Sequence, residues 1–182
     1  KKRCKVPLFL TLQEGDDLEY IKKKSSYIRK SFLEIFTQAD FIQVISSFLK
    51  HWAVRNGAES EIRIIPNESD FLKFKRDENF KRDEFRKQLG FGENDKLIIT
   101  TSRLVKKNGV KDLLKSLSYL ESEFKFLILG EGEEKDDLLK LTEELNLKNR
   151  VYFLGTISHQ ELPKYLWASD VFCRPSLSEG LG

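Results

Sequence analysis

Short apolar runs alternate along this chain with segments that are apolar on one side only. The runs, such as residues 97–101 and 124–129, are rich in β-branched or aromatic side chains, which is typical of strands buried on both faces. Between the runs, apolar residues recur three or four positions apart, which is the spacing of an amphipathic helix. This alternation of strand and helix predicts an α/β fold with parallel sheets. The predicted strands are 6–11, 41–45, 62–65, 97–101, 124–129, 151–154 and 171–173.

Capping residues and glycines indicate where the helices begin and end. A helix over 28–39 precedes the second strand, and Ser46 or Ser47 caps the helix that follows it. The segment 158–161, Ser-His-Gln-Glu, has the form of a capping box and predicts a helix beginning there. His159 would lie in its first turn for that reason, with contact to a ligand as the alternative. Further helices are predicted over 80–89, 110–120 and 138–145.

The segment 68–95 differs in composition from both of its flanks. It is highly charged and interrupted by Asn and Asp, and it contains one amphipathic helix that ends at Gly90. We interpret its first part, near 68–77, as a linker between two α/β units. The alternative is a surface excursion within a single domain.

Charge and cysteine content narrow the classes of function. Of the 182 residues 34% are charged, but the net charge is only +3, which argues against a nucleic-acid partner. Two distant cysteines, Cys4 and Cys173, predict a reduced, cytoplasmic protein, and no apolar run is long enough to span a bilayer. The basic stretch 22–30 is interpreted as a solvated face, with weak peripheral contact with the inner face of a membrane as the alternative.

Residues with candidate chemistry directly follow the predicted strands. Arg103 and the lysines after it lie between a strand and a helix, where free helix N–H groups also favour anions. A guanidinium beside an ammonium suits a diphosphate, so we predict a diphosphate site there, with a solvated basic loop as the alternative. Because carboxyl ends of parallel strands share one edge, Gly130, Gly155 and the loop 176–179 are expected beside Arg103. Glu179 in that loop could meet a sugar hydroxyl, or it could be solvated.

The sequence Gly130-Glu131-Gly132 invites a dinucleotide-binding interpretation, which we reject. Lys135 stands where the third glycine of that motif belongs, and the acidic residues around it would repel a pyrophosphate. We expect instead a tight turn that a ligand or another backbone segment approaches closely.

Taken in order, these motifs resemble those of the family 4 (group 1) retaining glycosyltransferases, which have the GT-B fold. The order and spacing of the motifs are specific and cover most of the chain. The matching residues are Ile45-Ser46, Ile65-Pro66-Asn67 with Asp70, Ser102-Arg103-Leu104 with Gly109, Gly130-Glu131-Gly132, Val151-Tyr152-Phe153-Leu154-Gly155, Ala168-Ser169-Asp170, and Pro175-Ser176 with Glu179-Gly180-Leu181-Gly182.

The resemblance implies two Rossmann-like parallel-sheet domains that face a cleft and are truncated here at both ends. Residues 1–70 would be the C-terminal part of the acceptor-side domain, 71–95 the linker and first helix of the second domain, and 96–182 most of the nucleotide-sugar (donor) domain. Such enzymes transfer a sugar from a nucleotide-diphosphate sugar to an acceptor with retention of configuration. They generally need no metal and no other cofactor, and the acceptor here is unknown.

The resemblance also implies roles for individual residues. Arg103 would bind the donor diphosphate and stabilise the leaving group, with added charge from Lys107. Glu179 would lie near the transferred sugar, and Gly130 would lie at the donor. Backbone N–H groups close to the donor would come from Gly180, Leu181 and Gly182.

The sequence departs from the family pattern at several positions. Asn108 stands where a lysine often precedes the glycine of the basic loop, so Lys106 or Lys107 would supply that charge. The second glutamate of the family's paired motif would lie beyond Gly182, and the 182 residues alone are expected to be inactive. A GT-B-like sugar-nucleotide epimerase and a non-catalytic nucleotide-sugar-binding or scaffold protein are the alternative functions.

Overall fold

The computed structural model describes residues 6–13, 15–68 and 70–181 and divides into two compact units. The first unit comprises the described residues of 6–68 together with 178–181, and the second comprises 70–177. Each unit is built on one parallel sheet with helices, which confirms the predicted α/β class. The sequence pattern assigns 178–181 to the second domain, whereas the structure groups these residues with the first unit, where Gly180 lies close to Gly15.

The first unit contains three parallel strands in the order β1-β2-β3. The central strand carries Ile42 and Val44, which are fully buried. Helix packing completes this core, where the rings of Phe36 and Trp52 meet edge to face with centroids 5.4 Å apart. The elements are β1 (Phe9–Leu12), α1 (Leu18–Lys24), α2 (Arg29–Gln38), β2 (Phe41–Val44), α3 (Ser47–Arg55) and β3 (Glu61–Ile64).

The second unit contains four parallel strands in the order β6-β5-β4-β7. Strand β4, the one that leads into the basic loop, lies inside this sheet between two neighbours. The elements are α4 (Phe71–Phe74), α5 (Arg82–Gln88), β4 (Lys96–Thr101), α6 (Val110–Leu117), β5 (Phe124–Leu129), α7 (Lys135–Glu144), β6 (Val151–Gly155), α8 (Leu162–Ala168) and β7 (Val171–Phe172).

Alternate residues of β5 belong to two separate hydrophobic cores. Phe126 and Ile128 pack with apolar residues of α6 and α7, whereas Leu127 and Leu129 pack with those of α8. Both faces of the strand are therefore covered by helices. This explains why the sequence of β5 is a continuous apolar run rather than an alternating one.

The capping box predicted at 158–161 is half formed. The Ser158 Oγ atom accepts a hydrogen bond from the Glu161 N–H at 3.3 Å, as predicted, but the helix begins later than expected. Helix α8 begins at Leu162, and His159 lies in the turn before the helix rather than in its first turn. The carboxylate of Glu161 pairs with the Nζ atom of Lys164 at 3.0 Å rather than with the backbone N–H of Ser158, which is its partner in a full capping box. Pro163 at the start of the helix favours this later beginning, because proline fits the first helical turn.

Three other expectations differ from the structure in detail. The segment 68–77 contains the short helix α4, Phe80 precedes α5 instead of lying in it, and α6 ends at Leu117 rather than at 120.

Helix α1 is not predicted by the sequence pattern. Its start is set by Asp17, whose Oδ1 atom accepts hydrogen bonds from two backbone N–H groups of the first turn.

A carboxylate joins strand β7 to the amino end of β4. Asp170 accepts a hydrogen bond from the backbone N–H of Leu97 at 2.7 Å and pairs with the guanidinium groups of Arg82 and Arg86. Burial would raise the pKa of Asp170, but the Leu97 hydrogen bond and the two arginines outweigh burial and hold this pKa below its usual value.

Candidate functional site

Three loops meet at the carboxyl edge of the second sheet. The Ser102 N–H donates to the Leu129 carbonyl at 3.0 Å, and the Leu104 N–H donates to the Glu131 carbonyl at 2.9 Å. The loop after β5 is joined in turn to the loop after β6 by the Gly130 N–H, which donates to a carbonyl there at 2.7 Å. Backbone hydrogen bonds thus hold the predicted edge together, and Arg103, Gly130 and Gly155 lie on adjacent strand ends as expected.

The two glycines of the Gly-Glu-Gly turn allow the loops to touch. Gly130 has a φ of +143°, and a Cβ atom on it would lie 1.9 Å from the Ser102 carbonyl oxygen. A Cβ atom on Gly132 would lie 2.4 Å from the Leu104 carbonyl oxygen. The expected close approach of another backbone segment is confirmed: the turn packs against the backbone on both sides of Arg103.

The basic loop runs from Arg103 to the amino end of α6. The side chain of Arg103 is exposed, and a 3₁₀ turn over Lys106–Asn108 leads to the helix. Lys107 is half-buried, and its carbonyl accepts a hydrogen bond from the Leu177 N–H at 2.7 Å. The segment after β7 therefore supports the same loop, while Arg103 faces the open edge.

A depression of about 240 Å³ opens beside Arg103. Its walls come from the ends of β4, β5 and β6 and from the start of α8, so it lies across the three connected loops. The lining residues are Thr101, Ser102, Arg103, Leu129, Gly130, Glu131, Thr156, Ile157 and Leu162.

Ser102 is a site residue to which the sequence analysis gives no role, although it belongs to the Ser102-Arg103-Leu104 motif. Its Oγ atom is buried at the wall of the depression and makes no hydrogen bond within the described part of the chain. A buried hydroxyl without a partner is costly, and a ligand oxygen would satisfy it. The available signal is its position, immediately before Arg103 at the end of a strand.

The structure divides the predicted site residues between the two units. Arg103, Lys107 and Gly130 belong to the second unit, whereas Glu179 and its neighbours Gly180 and Leu181 belong to the first. Leu177, at the start of this segment, is bonded to the basic loop of the second unit, and the residues from 178 onward are grouped with the first. The Oε2 atom of Glu179 lies 3.7 Å from the Cβ position of Gly15.

The remaining sequence expectations for this site concern Gly182, metal ligands and membrane spans. Gly182 lies outside the described residues. Over residues 6–13, 15–68 and 70–181, no three His, Cys, Asp or Glu side chains are arranged to hold a metal ion. Within the same ranges, every helix is too short or too polar to cross a bilayer.

Comparison with known sequences identifies the family of the chain. The sequence model of the family described as "Glycosyl transferases group 1" matches residues 81–182, more than half of the chain. This range includes the basic loop, the Gly-Glu-Gly turn and Glu179. The chain therefore belongs to the glycosyl transferases group 1 family, as the resemblance of its motifs predicts.

Two curated relatives show how much of a longer protein the chain matches. The GDP-mannose-dependent monoacylated alpha-(1-6)-phosphatidylinositol monomannoside mannosyltransferase of Corynebacterium glutamicum is 27% identical over 158 residues, covering 85% of this chain and 41% of that protein. The alpha-monoglucosyldiacylglycerol synthase of Streptococcus pneumoniae is 27% identical over 195 residues, covering 100% of this chain and 44% of that protein. The chain thus spans less than half the length of both relatives.

Solved structures show the same fold. The crystal structure of HepE from Anabaena in complex with UDP-glucose matches 93% of this chain and 47% of that chain, with a TM-score of 0.79 and 21% sequence identity. Sucrose-phosphate synthase from Thermosynechococcus elongatus matches 100% of this chain and 47% of that chain, with a TM-score of 0.83 and 20% identity. The fold is that of the GT-B glycosyltransferases, which confirms the predicted fold class.

Proposed function

We propose that the complete protein transfers a sugar from a nucleotide-diphosphate sugar to an acceptor with retention of configuration. The observation that carries this proposal is the position of Arg103. Its exposed guanidinium borders a depression at the carboxyl edge of a parallel sheet, at the start of the loop that leads into the amino end of α6. Family membership and a relative that is named as a mannosyltransferase support the same conclusion.

In this proposal Arg103 and a neighbouring lysine neutralise the donor diphosphate. Negative charge accumulates on the diphosphate as the bond to the sugar breaks, and a fixed guanidinium stabilises that charge without reorganisation. Lys107 is the lysine that we assign to this role, with Lys106 as the alternative. Gly130 contributes to donor binding indirectly, because its close contact with the neighbouring loop shapes the depression.

We assign Glu179 to the transferred sugar, as the family resemblance implies. A carboxylate can accept a hydrogen bond from a sugar hydroxyl, and it can stabilise positive charge that develops on the ring. The backbone N–H groups of Gly180, Leu181 and Gly182 would bind donor oxygens next to it.

We propose further that protein cations rather than a protein-bound metal neutralise the diphosphate. The presence of Arg103 at the depression supports this. Sugar transfer by the complete enzyme should persist in EDTA, and loss of transfer that Mg²⁺ or Mn²⁺ restores would contradict the proposal.

The test of the proposed function is nucleotide binding and transfer by the complete natural protein. UDP, GDP and ADP are titrated by calorimetry against the wild type and Arg103→Ala, and donor turnover is followed with product analysis. We expect at least one nucleotide to bind, and Arg103→Ala to weaken it roughly 10-fold to 100-fold, as expected when a charge-assisted contact is lost. Lys106→Ala and Lys107→Ala, measured in the same way, identify the second cation.

Three results would contradict parts of this proposal. Near-normal transfer by Arg103→Ala would remove its role. An epimerised donor without acceptor glycosylation would show an epimerase instead. Nucleotide binding without any turnover would favour the non-catalytic alternative.

A membrane surface is our proposed location for the acceptor, on the cytoplasmic side. The names of the two curated relatives contain phosphatidylinositol and diacylglycerol. In this chain, the last turn of α1 contains three lysines, including Lys22 and Lys23, and the side chains that follow are unusually exposed: Tyr27 is 98% exposed and Ile28 is 62% exposed. Lysines with exposed aromatic and aliphatic neighbours suit an anionic lipid surface.

A further inference from the structure

Asn108 is a polar residue buried beneath the basic loop. Asn108 is only 4% exposed, although it ends the 3₁₀ turn that begins at the exposed Lys106 and leads to α6. Its Nδ2 atom donates a hydrogen bond to the Arg103 carbonyl oxygen at 2.7 Å. The same carbonyl accepts the backbone N–H of Val105 at 2.9 Å, so two donors hold the peptide group of Arg103 from within the loop.

The hydrogen bond of Asn108 explains why a polar residue is buried here. A buried amide is costly unless it is hydrogen-bonded, and an apolar residue of similar size would fill a purely structural position at lower cost. The amide therefore has a specific partner, and that partner is the backbone from which the guanidinium of Arg103 projects. Other bonds hold the neighbouring residues, since the Leu104 N–H donates to Glu131 and the Lys107 carbonyl accepts from Leu177.

We propose that Asn108 is a positioning residue for Arg103. Its amide holds the backbone of Arg103 so that the guanidinium faces the donor diphosphate. At the position where the family often carries a lysine, this chain thus has a neutral residue that orients a charge instead of supplying one. The proposal rests on the proposed function, because it requires a diphosphate at Arg103.

A double-mutant cycle in the complete protein tests whether Asn108 acts through Arg103. Dissociation constants for UDP, GDP and ADP are measured for the wild type, Asn108→Ala, Arg103→Ala and the double variant. We expect Asn108→Ala to weaken binding roughly tenfold when Arg103 is present, because small displacements of a charged group reduce its contribution strongly. In the Arg103→Ala background the same substitution should change binding less than about twofold. A role limited to folding would give equal losses in both backgrounds.

Two further variants keep the test decisive. Asn108→Asp preserves the size of the side chain but replaces the donating amide with a carboxylate, and it is measured with and without Arg103. Its added charge weakens binding in both backgrounds, so the positioning role predicts a larger loss when Arg103 is present, and equal losses would contradict it. Thermal melting of each variant identifies any that is unfolded. Asn149→Ala changes an exposed asparagine of the same unit and should leave binding unchanged.

The outcomes separate this inference from the proposed function. Absence of nucleotide binding by the wild type would overturn both. Wild-type binding that neither Asn108 variant weakens, or that Asn108→Ala weakens equally with and without Arg103, would overturn the positioning role alone.

Discussion

Gly130 has no room for a side chain, because the backbone of the neighbouring loop occupies the space where a Cβ atom would lie. At the residue scale, this contact determines the shape of the candidate site more directly than any charge does. Ser102 and Leu104, which flank Arg103, are each bonded to the strand and turn that contain Gly130. The guanidinium therefore starts from a backbone that is held on both sides.

Gly130→Ala should destabilise the chain by more than about 3 kcal/mol, because the methyl group would collide with the Ser102 carbonyl in a backbone conformation that already disfavours alanine. Gly90→Ala is a matched control. Gly90 also has a positive φ, of +85°, but no described atom lies within 4 Å of its Cβ position, so only the conformational cost of about 1 kcal/mol is expected. Chemical denaturation of both variants measures the difference, and equal losses would show that the loop contact contributes nothing.

At the element scale, strand β4 is held at both of its ends. Its carboxyl end is bonded to the loops of the candidate site, and its amino end is bonded to Asp170 at the beginning of β7. Asp170 also holds α5 through Arg82 and Arg86. The Asp of the Ala-Ser-Asp motif therefore supports the sheet from the edge opposite to the site.

Asp170→Asn should destabilise the chain by about 1–3 kcal/mol at pH 7, a range reduced because the carboxylate is about one-third exposed. The pKa of Asp170 is lowered in the folded state. The ionised carboxylate therefore contributes to the free energy of unfolding above the ordinary Asp pKa of about 4, and this contribution is lost as the pH falls through the lowered pKa. The stability difference between wild type and variant should shrink correspondingly on acidification. Urea unfolding from pH 7 to pH 3 measures it, and a constant difference would contradict this assignment.

At the scale of the whole molecule, the exposed basic and apolar side chains of the first unit play no part in the chemistry that we propose for the candidate site. Tyr27 and Ile28 follow the lysines of α1 after two serines, so charge and apolar surface occur close together in the sequence. The exposed tyrosine and isoleucine add apolar contact area that the lysines alone would not supply. This combination is our reason for proposing a lipid surface.

Lys22→Gln with Lys23→Gln should reduce binding of the chain to phosphatidylglycerol vesicles roughly 30-fold, since each of the two lysines contributes about 1 kcal/mol near an anionic surface. Lys140→Gln with Lys148→Gln removes two exposed lysines of the second unit and is the matched control. Co-sedimentation with phosphatidylglycerol and with phosphatidylcholine vesicles measures the effect. Equal binding by both double variants would show that the basic stretch is only a solvated face.

The amino-acid sequence by itself determined the fold class and most of the strands. Buried strands such as β4 and β5 need continuous apolar runs, and helices such as α6 need a periodic apolar face, so both leave a local signal. The sequence also determined the edge on which Arg103 and Gly130 lie, because the order of strands and helices leaves few topologies. The start of α8 was not determined in this way, since Ser158 and Pro163 are competing local signals.

Only the tertiary structure decided which groups lie in contact with the residues of the site loops. The collision that excludes a side chain from Gly130, the hydrogen bond from Asn108 to Arg103, and the grouping of Glu179 with the first unit all join positions whose distance depends on how the chain folds back. Hydrophobic periodicity records which face of an element is buried, but it carries no information about which backbone group lies opposite a given atom. That information arises only when the loops are packed against each other.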